Sequence, residues 1–185
     1  MSALATEQRE RLFIGVPVPE KTRLSLMRQI PSPLPGKPTP AENWHFTLRF
    51  LGSTEPAMRD RLIEKLRGTS FGNAFDIEFD TLGAFPNARR ARVVWVGVGN
   101  GHGALERIAE KAESAARDAG FDAETRRFTA HLTISRMREP LSVAGILSKA
   151  RPIQATMRVE EIDLYRSESG GAHSRYSVVT AIPLA

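Results

Sequence analysis

A chain of 185 residues, 41% apolar and 25% charged, is sized and balanced for one globular domain or two tightly fused lobes, and its formal charge of +5 favours an acidic partner such as a phosphate ester or nucleic acid. With no cysteine, disulfides, thiolate metal sites and a cysteine nucleophile are excluded. No apolar run approaches the roughly 18 residues that a membrane-spanning helix needs.

The opening MSALATEQRERLF is polar and charged rather than a signal peptide, so a soluble cytoplasmic protein, acting as a monomer, is the expectation. Residues 11–17, RLFIGVP, read as a short buried strand, and Pro19 opens a helix to about Ile30 with Leu24, Met27 and Ile30 on one face. The proline-rich segment PSPLPGKPTP (31–40) is expected to be loop. WHFTLRFLG (44–52) alternates as a strand, and Ser53 and Thr54 are candidate caps for a helix from Pro56 to about Leu66 that buries Met58, Leu62, Ile63 and Leu66. Residues 74–82 alternate strictly as a half-buried strand, GAFPNARRA reads as a turn-rich connection, and RVVWVGV (92–98) as an apolar strand. The longest helix is expected over about 104–119, with Leu105, Ile108, Ala109, Ala112 and Ala116 on one face and Gly120 as its stop. A strand at 128–137, a helix at about 141–150, and strands at about 155–165 and 174–182 complete the order. The second half roughly repeats the first, which points to an α+β fold of two similar lobes: mainly antiparallel sheets, outer helices, and a single bilobal unit over residues 1–185.

Each half carries one strand of the same local form. His45-Phe46-Thr47-Leu48 and His131-Leu132-Thr133-Ile134 both read His, apolar, Thr, apolar, 86 residues apart. In a strand, positions i and i+2 share a face, so each segment sets an imidazole beside a hydroxyl while Phe46, Leu48, Leu132 and Ile134 pack behind. If the halves are related by a pseudo-twofold, the two pairs face one another across a cleft. Two imidazoles at one phosphate suit the opening of a cyclic phosphodiester, which needs a base for water and an acid for the leaving sugar oxygen; an unperturbed histidine pKa of about 6.5 serves both tasks. The two threonine hydroxyls can donate to non-bridging oxygens as charge builds there. No metal or cofactor is called for, and neither motif brings a carboxylate or third ligand that a zinc site needs. The competing structural account has both histidines half-buried and bonded to a neighbouring threonine. His102 and His173 sit in glycine-rich turns and read as ordinary loop residues.

With these residues in view, the chain resembles the 2H phosphoesterase superfamily, and within it the RNA 2′,3′-cyclic phosphodiesterases also described as 2′-5′ RNA ligases. The resemblance runs nearly end to end. It is carried by RLFIGVPVPE at the start, by Pro40 through Gly52 around the first motif, by Gly83-Ala84-Phe85-Pro86 with Arg89 through Gly97, and by Arg126 through Arg136 around the second. Where the family often has Pro-Phe-x-Pro-His, this chain has Arg127-Phe128-Thr129-Ala130-His131.

The resemblance implies a bilobal fold with the motifs facing each other across a cleft. It implies that His45 protonates the leaving oxygen, that His131 activates water, and that an RNA or nucleotide 2′,3′-cyclic phosphate end becomes a 2′-phosphomonoester. The same proton transfers would join a 5′-hydroxyl to a cyclic phosphate in a 2′-5′ linkage. The near symmetry of the motifs does not itself say which histidine is acid and which is base. Arg136, five residues after His131, stands where the family carries a basic residue, which implies a phosphate clamp; a solvated arginine at a strand end is the alternative.

Other positions stay open at this level. Phe13 and Phe50 read as a cleft wall or as core, and Trp44 and Trp95 as packing aromatics. Arg89, Arg90, Arg92, Arg126 and Arg127 read as an RNA backbone track or as a solvated face. Rival functions keep the chemistry and change the substrate, to ADP-ribose cyclic phosphate or 2′-5′ oligoadenylate, or discard catalysis for RNA binding alone.

Overall fold

The computed structural model describes residues 9–168, 170 and 174–185; His173 lies outside them. The alternation of apolar residues over Glu10–Pro17 and His45–Thr54 builds strands β1 and β3, which pair antiparallel from Pro17 opposite His45 to Glu10 opposite Thr54. Helix α1 (Glu20–Gln29) links them, followed by a two-residue strand β2 (Lys37–Pro38) and a 3₁₀ turn at Ala41–Asn43. After helix α2 (Pro56–Gly68) come β4 (Phe75–Phe85) and β5 (Ala91–Val98), then helix α3 (His102–Asp118) and β6 (His131–Leu141). A one-turn helix α4 (Ala144–Leu147) leads to β7 (Thr156–Val159), β8 (Glu161–Glu168) and β9 (Arg175–Pro183).

The strands form one sheet in the order β7-β4-β5-β6-β3-β1-β8-β9, every pairing antiparallel, with β2 attached to β6. Its midline is β3 against β6, which pair at one position only, Phe46 opposite Leu132. Beyond that point the two strands diverge, and β2 takes up the inner edge of β6, with Lys37 opposite Arg136 and Pro38 opposite Ser135. The divergence splits the sheet into two lobes: β1, β3, β8 and β9 on one side, β4, β5, β6 and β7 on the other. The lobes are not the two halves of the chain. β4, made in the first half, pairs with β5, and β8 and β9, made in the second, extend the sheet from β1, so each lobe takes in strands from the other half.

The core lies behind the midline. Phe46, Leu132, Leu62, Leu66, Leu105 and Ile108 are all essentially closed to solvent, and each such side chain contributes about 1.5–3 kcal/mol by burial. α3 buries Leu105, Ile108, Ala109, Ala112, Ala115 and Ala116, and this small-residue stripe lets the helix lie close to the sheet. Gly120, at φ 102°, ends it in the left-handed conformation that glycine adopts without penalty.

Several sequence expectations change. α1 buries Thr22 and Leu26, not the Leu24–Met27 face; Leu24 is 49% and Met27 55% exposed. Thr22 and Leu26 form the inward i, i+4 pair, and the Thr22 hydroxyl donates to the Thr156 carbonyl at 3.4 Å. The proline-rich segment contributes a strand, since Lys37 sits between prolines yet has its own backbone groups to offer β6. β3 runs on to Thr54, so Glu55 rather than Ser53 or Thr54 occupies the cap position of α2; the Thr54 hydroxyl instead donates to the Gly52 carbonyl. β4 extends through Gly83–Phe85, residues expected to be turn, and α3 takes in His102, expected to be loop, whose ring lies 3.6 Å from Glu106 one turn on. The helix foreseen over 141–150 shrinks to four residues, and the single strand foreseen over 155–165 is two, broken at Glu160.

Candidate active site

Because β3 and β6 are antiparallel and pair at Phe46 and Leu132, the next residue on each side falls in a fixed place. His45 comes opposite Thr133, and Thr47 opposite His131, all four on the face away from the core. The two imidazoles are thus diagonal neighbours across the strand pair. They line one cleft of about 540 Å³ together with Thr47, Thr133 and Arg136. The structure therefore brings all five sequence-derived candidates to one place.

Both rings are oriented in the same way. His45 Nδ1 lies 2.7 Å from the Asn43 carbonyl and His131 Nδ1 lies 2.8 Å from the Thr129 carbonyl, in each case two residues upstream. A carbonyl only accepts, so each Nδ1 carries the hydrogen and each Nε2 is left for the cleft. Asn43 is itself held: its backbone N–H donates to Pro40 within the 3₁₀ turn, and its side-chain amide donates to the Ser174 carbonyl at 2.9 Å.

Aromatic rings hold the imidazoles from the sides. Tyr176 meets His45 edge-on at 5.2 Å and 90°, and Phe85 meets His131 edge-on at 5.1 Å and 86°. Phe13 lies 4.6 Å from His45 and Trp95 6.5 Å from His131. Two glycines make room for this packing. A Cβ at Gly83 would come within 2.2 Å of the Trp95 ring, and one at Gly15 within 2.8 Å of the Phe46 carbonyl.

Burial and charge both keep the rings neutral. His45 titrates at about 4, chiefly because burial penalises the cation; the Asn43 carbonyl opposes this, and Arg136 and His131 add to it. His131 is lowered for the same first reason, again against its carbonyl partner and with help from Arg136. At neutral pH the cleft thus presents two unprotonated Nε2 atoms beside a guanidinium, and an anion there would favour their protonation.

The pseudo-twofold breaks five residues after each histidine. Arg136 stands on β6 opposite Val93, while its counterpart Phe50 stands on β3 opposite Phe13. Phe13 is core, at 3% exposure, whereas Phe50 is 51% exposed and lines the cleft. One flank is therefore cationic and the other aromatic. Trp44 is buried, its indole N–H donating to the Thr39 carbonyl. Of the five arginines considered as a backbone track, Arg126 and Arg127 reach the cleft wall; Arg126 is gripped by Glu124, whose carboxyl it holds down at about 2. Arg89, Arg90 and Arg92 are exposed and lie outside the cleft lining.

Three features of the site were not foreseen. Tyr176 gave no signal, being 131 residues from His45 on a strand that only the tertiary fold brings close. Phe85 falls in GAFPNARRA, whose Gly, Pro and Asn read as turn. The carbonyl partners Asn43 and Thr129 had a signal, their shared i−2 spacing before each histidine, but nothing in that spacing says that carbonyls meet the rings.

Two lobes, two His-x-Thr strands and one cleft with paired imidazoles define a phosphoesterase of the two-histidine architecture. The model of the LigT-like phosphoesterase family matches the chain twice, over residues 14–95 and 96–176, and the chain belongs to that family. It is 37% identical to the RNA 2′,3′-cyclic phosphodiesterase of Aeropyrum pernix over 64% of this chain and 66% of that one. It is 35% identical to the protein of the same name from Archaeoglobus fulgidus, over 75% of this chain and 80% of the other. The crystal structure of Escherichia coli LigT complexed with 3′-AMP superposes with a TM-score of 0.81 at 26% identity, covering 96% of this chain and 99% of that one. The twofold match of the family model agrees with the internal repeat read from the sequence. Among the described residues no helix is long and apolar enough to cross a membrane.

Proposed function

We propose that this phosphoesterase opens the terminal 2′,3′-cyclic phosphate of an RNA to a 2′-phosphomonoester, using its two histidines as acid and base without a metal. The observation that carries the reading is the diagonal pair of imidazoles, each fixed by a carbonyl at Nδ1 and each beside the other motif's threonine. The likeness to the RNA 2′,3′-cyclic phosphodiesterases of Aeropyrum pernix and Archaeoglobus fulgidus supports the substrate class.

In the reaction, His131 Nε2 takes a proton from water as the water oxygen attacks phosphorus. The P–O3′ bond breaks, and O3′ takes the proton held on His45 Nε2. Negative charge gathers on the non-bridging oxygens, where Thr47 and Thr133 donate hydrogen bonds and Arg136 supplies a cation. His45 must be protonated to serve as the acid, and burial by itself disfavours its cation. The bound phosphate anion supplies the missing stabilisation, so substrate binding and proton uptake go together. The exposed face of Phe50 gives a nucleobase an apolar surface next to the sugar. With a 5′-hydroxyl in place of water the same transfers leave a 2′-5′ linkage.

The test is product analysis by ³¹P NMR with a short RNA 2′,3′-cyclic phosphate, in excess EDTA. A 2′-phosphate at undiminished rate is expected. A 3′-phosphate, or loss of turnover in EDTA, overturns the assignment. Faster turnover of ADP-ribose cyclic phosphate or 2′-5′ oligoadenylate under the same conditions overturns the substrate.

A further inference from the structure

The proline-rich segment 31–40 has no part in the acid–base chemistry, yet it is fastened to β6 with unusual thoroughness. The Ser135 hydroxyl, fully buried, donates to the Pro35 carbonyl at 2.6 Å. Thr39 N–H donates to the Ile134 carbonyl at 2.9 Å, and the Trp44 indole to the Thr39 carbonyl at 3.0 Å. Gly36 adopts φ 80° and presses so closely on β6 that a Cβ there would lie 2.6 Å from the Arg136 carbonyl. The prolines add stiffness, reducing the entropy lost when the segment is fixed.

This fastening holds Lys37 directly opposite Arg136. Residues opposite one another in an antiparallel pair have Cβ atoms about 4.5–5.5 Å apart on one face, and like charges so placed repel. Thr39, two residues on and so on the same face, lines the cleft with Arg136. Both cations are exposed, and among the described residues neither forms an ion pair with a carboxylate. Two unneutralised cations held side by side on a rigid scaffold make a place that an anion would stabilise. Arg136 faces the histidines, and Lys37 stands one strand further out.

The geometry points to a second phosphate subsite at Lys37, taking the phosphodiester on the 5′ side of the reactive nucleotide. It would make the enzyme prefer the end of an RNA chain over a free cyclic mononucleotide. The inference rests on the reading of the cleft as a cyclic phosphodiesterase and deepens it by naming what lies beyond the reactive end.

The experiment compares kcat/KM for a nucleoside 2′,3′-cyclic phosphate with that for a trinucleotide ending in the same group. The pair is measured for the wild type, Lys37→Gln and Lys37→Arg. In Lys37→Gln the trinucleotide-to-mononucleotide ratio is expected to fall about fivefold, the scale of an exposed ion pair. The log–log salt dependence of the trinucleotide reaction should flatten by about 0.7, as for one lost contact to a single strand. Lys37→Arg should retain the ratio. A trinucleotide with a neutral methylphosphonate next to the cyclic end should lower the wild-type ratio and remove the difference between wild type and Lys37→Gln. An unchanged ratio in Lys37→Gln, or a difference that survives the methylphosphonate, overturns the subsite while mononucleotide turnover leaves the cyclic phosphodiesterase standing. A wild type that opens neither substrate overturns that reading itself, and the subsite with it.

Discussion

His45 titrates at about 4 in the folded protein and near 6.5 in an unfolded chain, so the unfolded state takes up a proton that the folded state refuses. The contribution to stability is therefore intact above pH 6.5 and is lost as pH falls through 6.5 towards 4. At 1.36 kcal/mol for each pH unit between the two values, the loss from this one ring approaches about 3 kcal/mol, a sizeable part of the total stability of an ordinary domain. The variant His45→Gln keeps an amide donor for the Asn43 carbonyl but cannot titrate. Urea unfolding of both proteins at pH 7, 5.5 and 4 isolates the effect, since other titrations, such as that of the Arg126-paired Glu124 at about 2, are common to both. Wild type should lose about 3 kcal/mol relative to the variant across this range. Stability curves that run parallel from pH 7 to 4 would falsify the account of a buried, neutral ring.

The same linkage operates on ligand binding. Inorganic phosphate should bind with net proton uptake between pH 5.5 and 7, measured by calorimetry in two buffers of different ionisation enthalpy; binding heats that do not depend on the buffer would count against a neutral pair. His45→Ala and His131→Ala should each reduce turnover of a cyclic phosphate by at least about a hundredfold with unchanged circular dichroism. Near-normal turnover in either variant removes its acid or base role. Thr47→Val and Thr133→Val should cost less, about tenfold each, from the loss of one hydrogen bond to developing charge. Gly83→Ala, which drives a methyl into the Trp95 ring, should destabilise the protein by about 1–3 kcal/mol, read from the urea midpoint. A variant with wild-type stability would mean that Trp95 has room to move.

The cleft was legible in the sequence to the extent that it is made of local pattern. His45 and Thr47, like His131 and Thr133, share a face because alternation in a strand is a property of the backbone alone. The diagonal arrangement of the pairs was not legible, because it depends on Phe46 meeting Leu132 across 86 residues. Tyr176 stayed hidden for the same reason. The strand at Lys37–Pro38 was concealed by its own composition: prolines argue for loop, and only the free edge of β6, left bare where β3 departs, makes pairing worthwhile. In α1 several leucine-like faces were available, and the choice of Leu26 over Leu24 and Met27 was made by the surface it meets. The strand foreseen over 155–165 split because Thr156–Val159 pairs with β4 in one lobe while Glu161–Glu168 pairs with β1 in the other, a parting of ways no periodicity records.

The exchange of strands between lobes has a consequence for how the chain comes off the ribosome. β1 presents a bare edge until β8 arrives to cover it, and β8 begins only at Glu161. The lobe that carries His45 is therefore incomplete until Glu161–Glu168 has been made, long after the strand that this segment covers. Both histidines are in the chain well before β8 is made, so the cleft they share is finished by a strand that carries neither of them.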